Sequence, residues 1–192
     1  MHLPIEFEYW PNFKLRPWGE LGSLCIQMGL EDYASATFHI WQLPYHRTQN
    51  PQDLSLILKE GQGTSSGKHA LLALLAHEHG HYEISLQIIL YRIHSRNTPQ
   101  LRDVLAQHYI EALPEAHCCI LYNDHYYDFT FPNKHMIIDP EDIIEIHSAF
   151  PTQIPLLKHR LHWALILSWS KKYHYNPNIL WQIRETCIQR LS

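Results

Sequence analysis

The chain has 192 residues, with 15 Lys and Arg against 19 Asp and Glu, giving a formal charge of −4 when its 16 histidines are neutral. It is long enough to bury a sizeable core, and at 45% hydrophobic and 12% aromatic it is globular in composition rather than disordered. Mild acidity and 18% charged residues exclude a dedicated nucleic-acid binder, which carries a basic excess or stripe, and no run approaches the roughly 20 apolar residues of a membrane helix.

The first expected elements are two helices, Trp18 to Met28, closed by Gly29, and Glu31 to Gln42, with acidic residues at its start. A polar loop with two prolines follows through Gln52. Gly61-Gln62-Gly63-Thr64-Ser65-Ser66-Gly67-Lys68-His69 is small and flexible, and it runs into Ala70-Leu71-Leu72-Ala73-Leu74-Leu75-Ala76. Seven apolar residues in a row make a helix that is apolar all round, so it belongs in the centre of the fold. The Gly, Thr and Ser turn suits its N-terminus and Gly80 its stop.

Tyr82 to Ile93 reads as a mostly buried strand, broken by Asn97-Thr98-Pro99, with a short helix over Leu101 to His108. His117 to Tyr122 and His125 to Thr130 are β-prone runs flanking Asn123-Asp124, a two-residue hairpin turn. That turn pairs Tyr122 with His125, and the same register sets Asp128 opposite Cys119. His117 and Asp128 then become diagonal neighbours on one face, where a carboxylate orients an imidazole. A register shift of one residue would separate them; a solvated hairpin face is the plainer reading. Helices over Ile154 to Tyr173 and Asn178 to Leu191 close the chain. The class is α+β, expected as one compact domain made of an N-terminal helical extension (1–42), a core (43–150) and a C-terminal helical pair (151–192).

His77-Glu78-His79-Gly80-His81 matches H-E-x-x-H, in which two helical histidines bind zinc and the glutamate is the base. Gly80 ends the helix inside the motif, however, and Ile84 and Gln87 stand where the extended pattern has Gly and His. His77 and His81 are therefore weak metal candidates, and no cofactor is expected. Cys25, Cys118, Cys119 and Cys187 fit no zinc module. Met1 to Glu6 shows neither a basic nor an apolar leader region, so reduced thiols in a cytoplasm are expected. Trp163, Trp169 and Trp181 read as packing residues, and His159, His162 and His174 as surface residues.

Gly63-Thr64-Ser65-Ser66-Gly67-Lys68-His69-Ala70-Leu71-Leu72 resembles the nucleophile turn and central helix of a bacterial branch of the transglutaminase-like, papain-like superfamily. Pro114-Glu115-Ala116-His117-Cys118 is similar to its catalytic histidine segment, and Asp128-Phe129-Thr130 to its acidic segment. Leu43-Pro44-Tyr45 with Arg47, Asn97-Thr98-Pro99, Lys158 through Trp169, and Trp181 through Leu191 extend the likeness. It implies a papain-like core, a buried helix against an antiparallel sheet, and a catalytic set of Ser65, His117 and Asp128. It implies acyl transfer or amide hydrolysis, cysteine-protease-like in chemistry, on a polypeptide or small amide.

The departure from the family pattern is Ser65, where the pattern has cysteine. A serine hydroxyl lies far above a thiol's pKa of ~8.5 and cannot form the thiolate–imidazolium pair. The resemblance leaves a catalytically impaired protein that binds without turnover, a working serine nucleophile, or an active enzyme whose cysteine has been exchanged for serine. An interaction module using its helical ends is the reading from another class. Lys68 and His69 stand at signature positions, yet either could simply cap or solvate the first turns. Neither a nucleic-acid partner nor a membrane is expected.

Overall fold

A computed structural model of the chain describes residues 9–132 and 138–191. Among them are seven α-helices and a four-stranded antiparallel sheet of order β3-β2-β1-β4. The helices are α1 (Gly19–Gln27), α2 (Tyr33–Gln42), α3 (Ser55–Glu60), α4 (Ser65–Glu78), α5 (Arg102–Gln107), α6 (Ile154–Tyr173) and α7 (Pro177–Leu191). The strands are β1 (Ser85–His94), β2 (Ala112–Tyr122), β3 (His125–Tyr127) and β4 (Ile143–Ala149). The chain divides into two compact units: Met1–Gln87 with Cys118–His135 and Ser148–Pro155, and Ile88–His117 with Met136–His147 and Leu156–Ser192.

In the first unit α4 is the central helix, as its apolar run implies. Ala70, Leu71, Leu72, Ala73, Leu75 and Ala76 are all fully enclosed. Thr64 caps its start by accepting the Gly67 N–H (3.3 Å). Its end is a Schellman turn: Gly80 takes the left-handed conformation (φ 83°), and the His81 N–H reaches the Ala76 carbonyl at 3.0 Å. Asp32 and Ser35 form a reciprocal capping box on α2, and the Tyr33 hydroxyl donates to the Leu72 carbonyl at 3.0 Å. Trp10 packs on Tyr33, Tyr127 and Phe129, so an aromatic cluster covers the hairpin.

The hairpin has the expected register. Tyr122 pairs with His125, Leu121 with Tyr126 and Ile120 with Tyr127, while Asn123 and Asp124 have φ of 47° and 61°, the signs a type I′ turn requires. The ladder ends at Tyr127 rather than Thr130. Asp128 Oδ1 accepts the Thr130 N–H (2.9 Å) and hydroxyl (2.5 Å), and this local turn bends the backbone out of the strand. The strand expected from Tyr82 starts at Ser85, and α3 and β4 are elements the sequence did not announce.

In the second unit the ends of α6 and α7 fall close to their expected places. His162 is buried, not exposed. Its Nε2–H donates to the Pro114 carbonyl at 2.9 Å, and its ring lies 5.0 Å from that of Trp181. All four cysteines are buried free thiols.

Candidate active site

Ser65 is the first residue of α4 and is only 4% exposed. It makes no side-chain hydrogen bond among the described residues. It is not a sealed orphan either, since Ser170 Oγ is the sole buried side-chain polar atom there without a partner. Gly63, in the preceding turn, and Gly67, in the first turn of α4, pack closely on α3. A Cβ on Gly67 would stand 2.9 Å from Ile57 Cδ1, and one on Gly63 would stand 3.1 Å from Ile57 Cγ2. Ile57 of α3 thus lies close against both glycines and would have to shift to admit a side chain at either.

Lys68 and His69 do not solvate or cap the helix; both are fully buried. Lys68 Nζ donates to the carbonyls of Trp41 (3.2 Å), Leu43 (2.5 Å) and Thr130 (2.9 Å). All three protons of the ammonium are therefore used. Burial pushes its pKa down to about 8, with Asp128 pulling the other way. The His69 tautomer follows from its partners: Nδ1–H donates to the Ser65 carbonyl at 2.7 Å, and Nε2 accepts the Phe129 N–H at 2.7 Å. The same Nε2 lies 3.5 Å from Asp128 Oδ1.

Two adjacent helical residues thus grip the 128–130 segment by its backbone. They hold Asp128 beside α4, the helix that begins with Ser65. The motif order gave the presence of Lys68 and His69. Their role needed the fold, because acceptors 25, 27 and 62 residues away leave no local signal.

His117 is a buried residue of β2. Two residues before it, Glu115 makes a two-pronged ion pair with Arg184 of α7, at 2.7 Å for Nε to Oε2 and 2.7 Å for Nη2 to Oε1. Burial opposes the Glu115 charge, but the guanidinium outweighs it and holds the carboxyl at about 2. Burial keeps His162 below its ordinary pKa, and its Nδ1 stands 3.9 Å from Glu115 Oε1. The sequence-based reading did not single out Glu115 or Arg184 as a pair.

The histidine-rich end of α4 serves as a joint. The Glu78 carboxylate accepts the N–H groups of Leu21 (3.2 Å) and Gly22 (2.8 Å), capping α1 in place of a local residue. His79 accepts the Arg16 N–H at 2.8 Å, His77 bonds the Ile84 carbonyl at 3.2 Å, and His81 bonds Glu83 at 2.9 Å. A zinc-protease base must face the metal-bound water, whereas this glutamate is engaged by α1. Among the described residues no group of three or more His, Cys, Asp or Glu could hold a metal ion, and no helix is long and apolar enough to cross a membrane.

Set against protein-family models, curated proteins and solved structures, the chain matches none.

Proposed function

We propose that the chain is a transglutaminase-like protein whose site is Ser65, His117 and Asp128, that serine at the nucleophile position leaves it catalytically impaired, and that the site binds a polypeptide or small amide. The observation that carries this reading is the placement of Ser65: first residue of a buried helix, its hydroxyl without a side-chain hydrogen bond among the described residues, with the backbone on either side of Phe129 held to the same helix by His69 and Lys68. A helix N-terminus favours a thiolate and a developing oxyanion. That field does little for a hydroxyl, which must lose its proton to a base during attack. In an active relative of this site, residue 65 attacks the carbonyl, His117 acts as base and then acid, and Asp128 orients the imidazole.

The existing thiols do not replace the missing one. Burial raises Cys119 well above the ordinary thiol range, and a strand offers no helix-terminus field. An active cysteine enzyme whose nucleophile has been exchanged for Ser65 is the second reading, favoured by a helix terminus better matched to a thiol. A working serine nucleophile is the third. Incubating the protein with an alkyl fluorophosphonate and locating the adduct by peptide mass spectrometry separates the third reading from the first two. Wild-type Ser65 is expected to stay unlabelled under conditions that saturate a serine hydrolase. Stoichiometric labelling at Ser65 would overturn the impaired reading and install the serine nucleophile.

A further inference from the structure

The outward face of α6 is built unlike an ordinary solvated helix face. Leu156 is 67% exposed and Leu167 45% exposed, with Trp163 half-buried and Ala164 exposed between them. Spacings of three and four residues align these side chains on one stripe. Arg160 and Lys171 interrupt the same stripe, and neither forms an ion pair among the described residues. At its centre Ala164 leaves a shallow notch of about 360 Å³ against Arg160, Trp163 and Leu167. The α6 sequence contains four Lys and Arg and no acidic residue.

The charge of the chain is sharply divided at the same place. Residues 156–192 hold six Lys and Arg and one Glu, a formal +5, whereas residues 1–155 hold nine against eighteen, a formal −9. A net −4 protein therefore ends in a cationic helical pair whose exposed stripe is apolar. We infer that the α6 stripe is a docking surface for an acidic amphipathic helix of a protein partner, its apolar ridge seated along Leu156, Trp163 and Leu167 and its carboxylates on Arg160 and Lys171.

Charge and shape select this occupant. A second copy would set two helices against each other that each carry four Lys and Arg and no acidic residue to answer them. A nucleic acid would leave the exposed leucines without apolar contact. A lipid surface answers the charge but makes no use of a notch, whereas a ridge side chain of a helix fills one. This surface lies on α6, and its use does not depend on any chemistry at Ser65.

The test titrates the full chain with synthetic peptides of about four helical turns, each with a leucine ridge flanked by glutamates, beside matched peptides with lysine for glutamate. Saturable binding of the glutamate peptides is expected, weakened roughly tenfold or more by Arg160→Glu with Lys171→Glu and separately by Ala164→Arg, which occupies the notch. All these positions are exposed, so circular dichroism and melting temperature serve as the folding check. Leu167→Lys stands in for any variant that fails that check. The proposal is overturned if no glutamate peptide binds at millimolar concentration, if the lysine peptides bind equally well, or if the variants leave binding unchanged. It is equally overturned if the variants instead abolish binding to phosphatidylcholine–phosphatidylglycerol vesicles or a dimer seen in sedimentation, with no peptide binding.

Discussion

Replacing Arg184 with methionine is expected to destabilise the chain by roughly 3–5 kcal/mol, the usual cost of stranding one partner of a buried ion pair. For a chain of this length that lowers the melting temperature by about 10 °C. Glu115 is a buried carboxylate whose two oxygens both accept from the guanidinium, so it has no water to turn to when the cation is removed. Methionine restores the volume but not the charge or the fork of donors.

The pH dependence separates a stranded charge from a simple packing loss. In the wild type Glu115 is held at about 2 against an ordinary value of 4.5. The stabilisation it contributes is complete above the ordinary value and disappears as pH falls through that window. In Arg184→Met the same carboxyl loses its cation and burial raises its pKa, so its contribution reverses sign: the variant gains stability relative to wild type as the pH falls. Urea unfolding of both proteins between pH 3 and 7 measures this. A double variant, Glu115→Leu with Arg184→Met, is expected to recover most of the loss, because a buried pair exchanged for apolar side chains leaves no stranded charge. A variant equally impaired at every pH would contradict the stranded-charge explanation.

Lys68→Met is expected to cost roughly 2–4 kcal/mol, for a different reason. The ammonium is itself expensive to bury, as its lowered pKa shows, and removing it relieves that cost. What remains is three backbone carbonyls, of Trp41, Leu43 and Thr130, deprived of a donor in a closed interior. Each such loss costs about 1–3 kcal/mol, and together they outweigh the relief. The effect should be local as well as global. With the Thr130 carbonyl released, amide hydrogen exchange of Phe129 and Thr130 is expected to accelerate more than that of Leu72 and Ala73 in the middle of α4. Uniform acceleration would mean that Lys68 supports the helix and not the Asp128 segment.

Much of the frame was legible in the sequence where local physics decides. The Asn123-Asp124 turn fixes its own register, because both residues accept positive φ and the strands on either side are β-prone. The all-apolar run of α4 has no face to leave in water, so its central position follows without any tertiary knowledge. Other features were not legible. The six residues of α3, Ser-Leu-Ile-Leu-Lys-Glu, are too short to show a helical period. The β4 run, Ile-Ile-Glu-Ile-His-Ser-Ala, is half exposed and lacks clear alternation.

The candidate site divides in the same way. Ser65, His117 and Asp128 come from motif order, which sequence carries. The grip of Lys68 and His69 on residues 128–130 does not, because a buried lysine and an exposed one look alike until their acceptors are known. His162 read as a surface residue since α6 has no clean polar stripe. Only Pro114 and Trp181, far away in sequence, show which face is closed. Glu78 looked like a zinc-protease base and is instead the cap of α1.

If residue 65 occupies a position built to ionise a thiol, the direct measurement is the alkylation of Ser65→Cys by iodoacetamide across pH 5 to 9. The four native thiols are buried and contribute little background: burial lifts Cys25 to about 12, Cys187 to about 11 and Cys119 well above its ordinary value. The thiol introduced at position 65 is expected to titrate below pH 7, against about 8.5 for an ordinary cysteine, and to return toward the ordinary value when His117→Ala is added. An introduced thiol that titrates at or above the ordinary value, or one indifferent to His117, would contradict the proposed site.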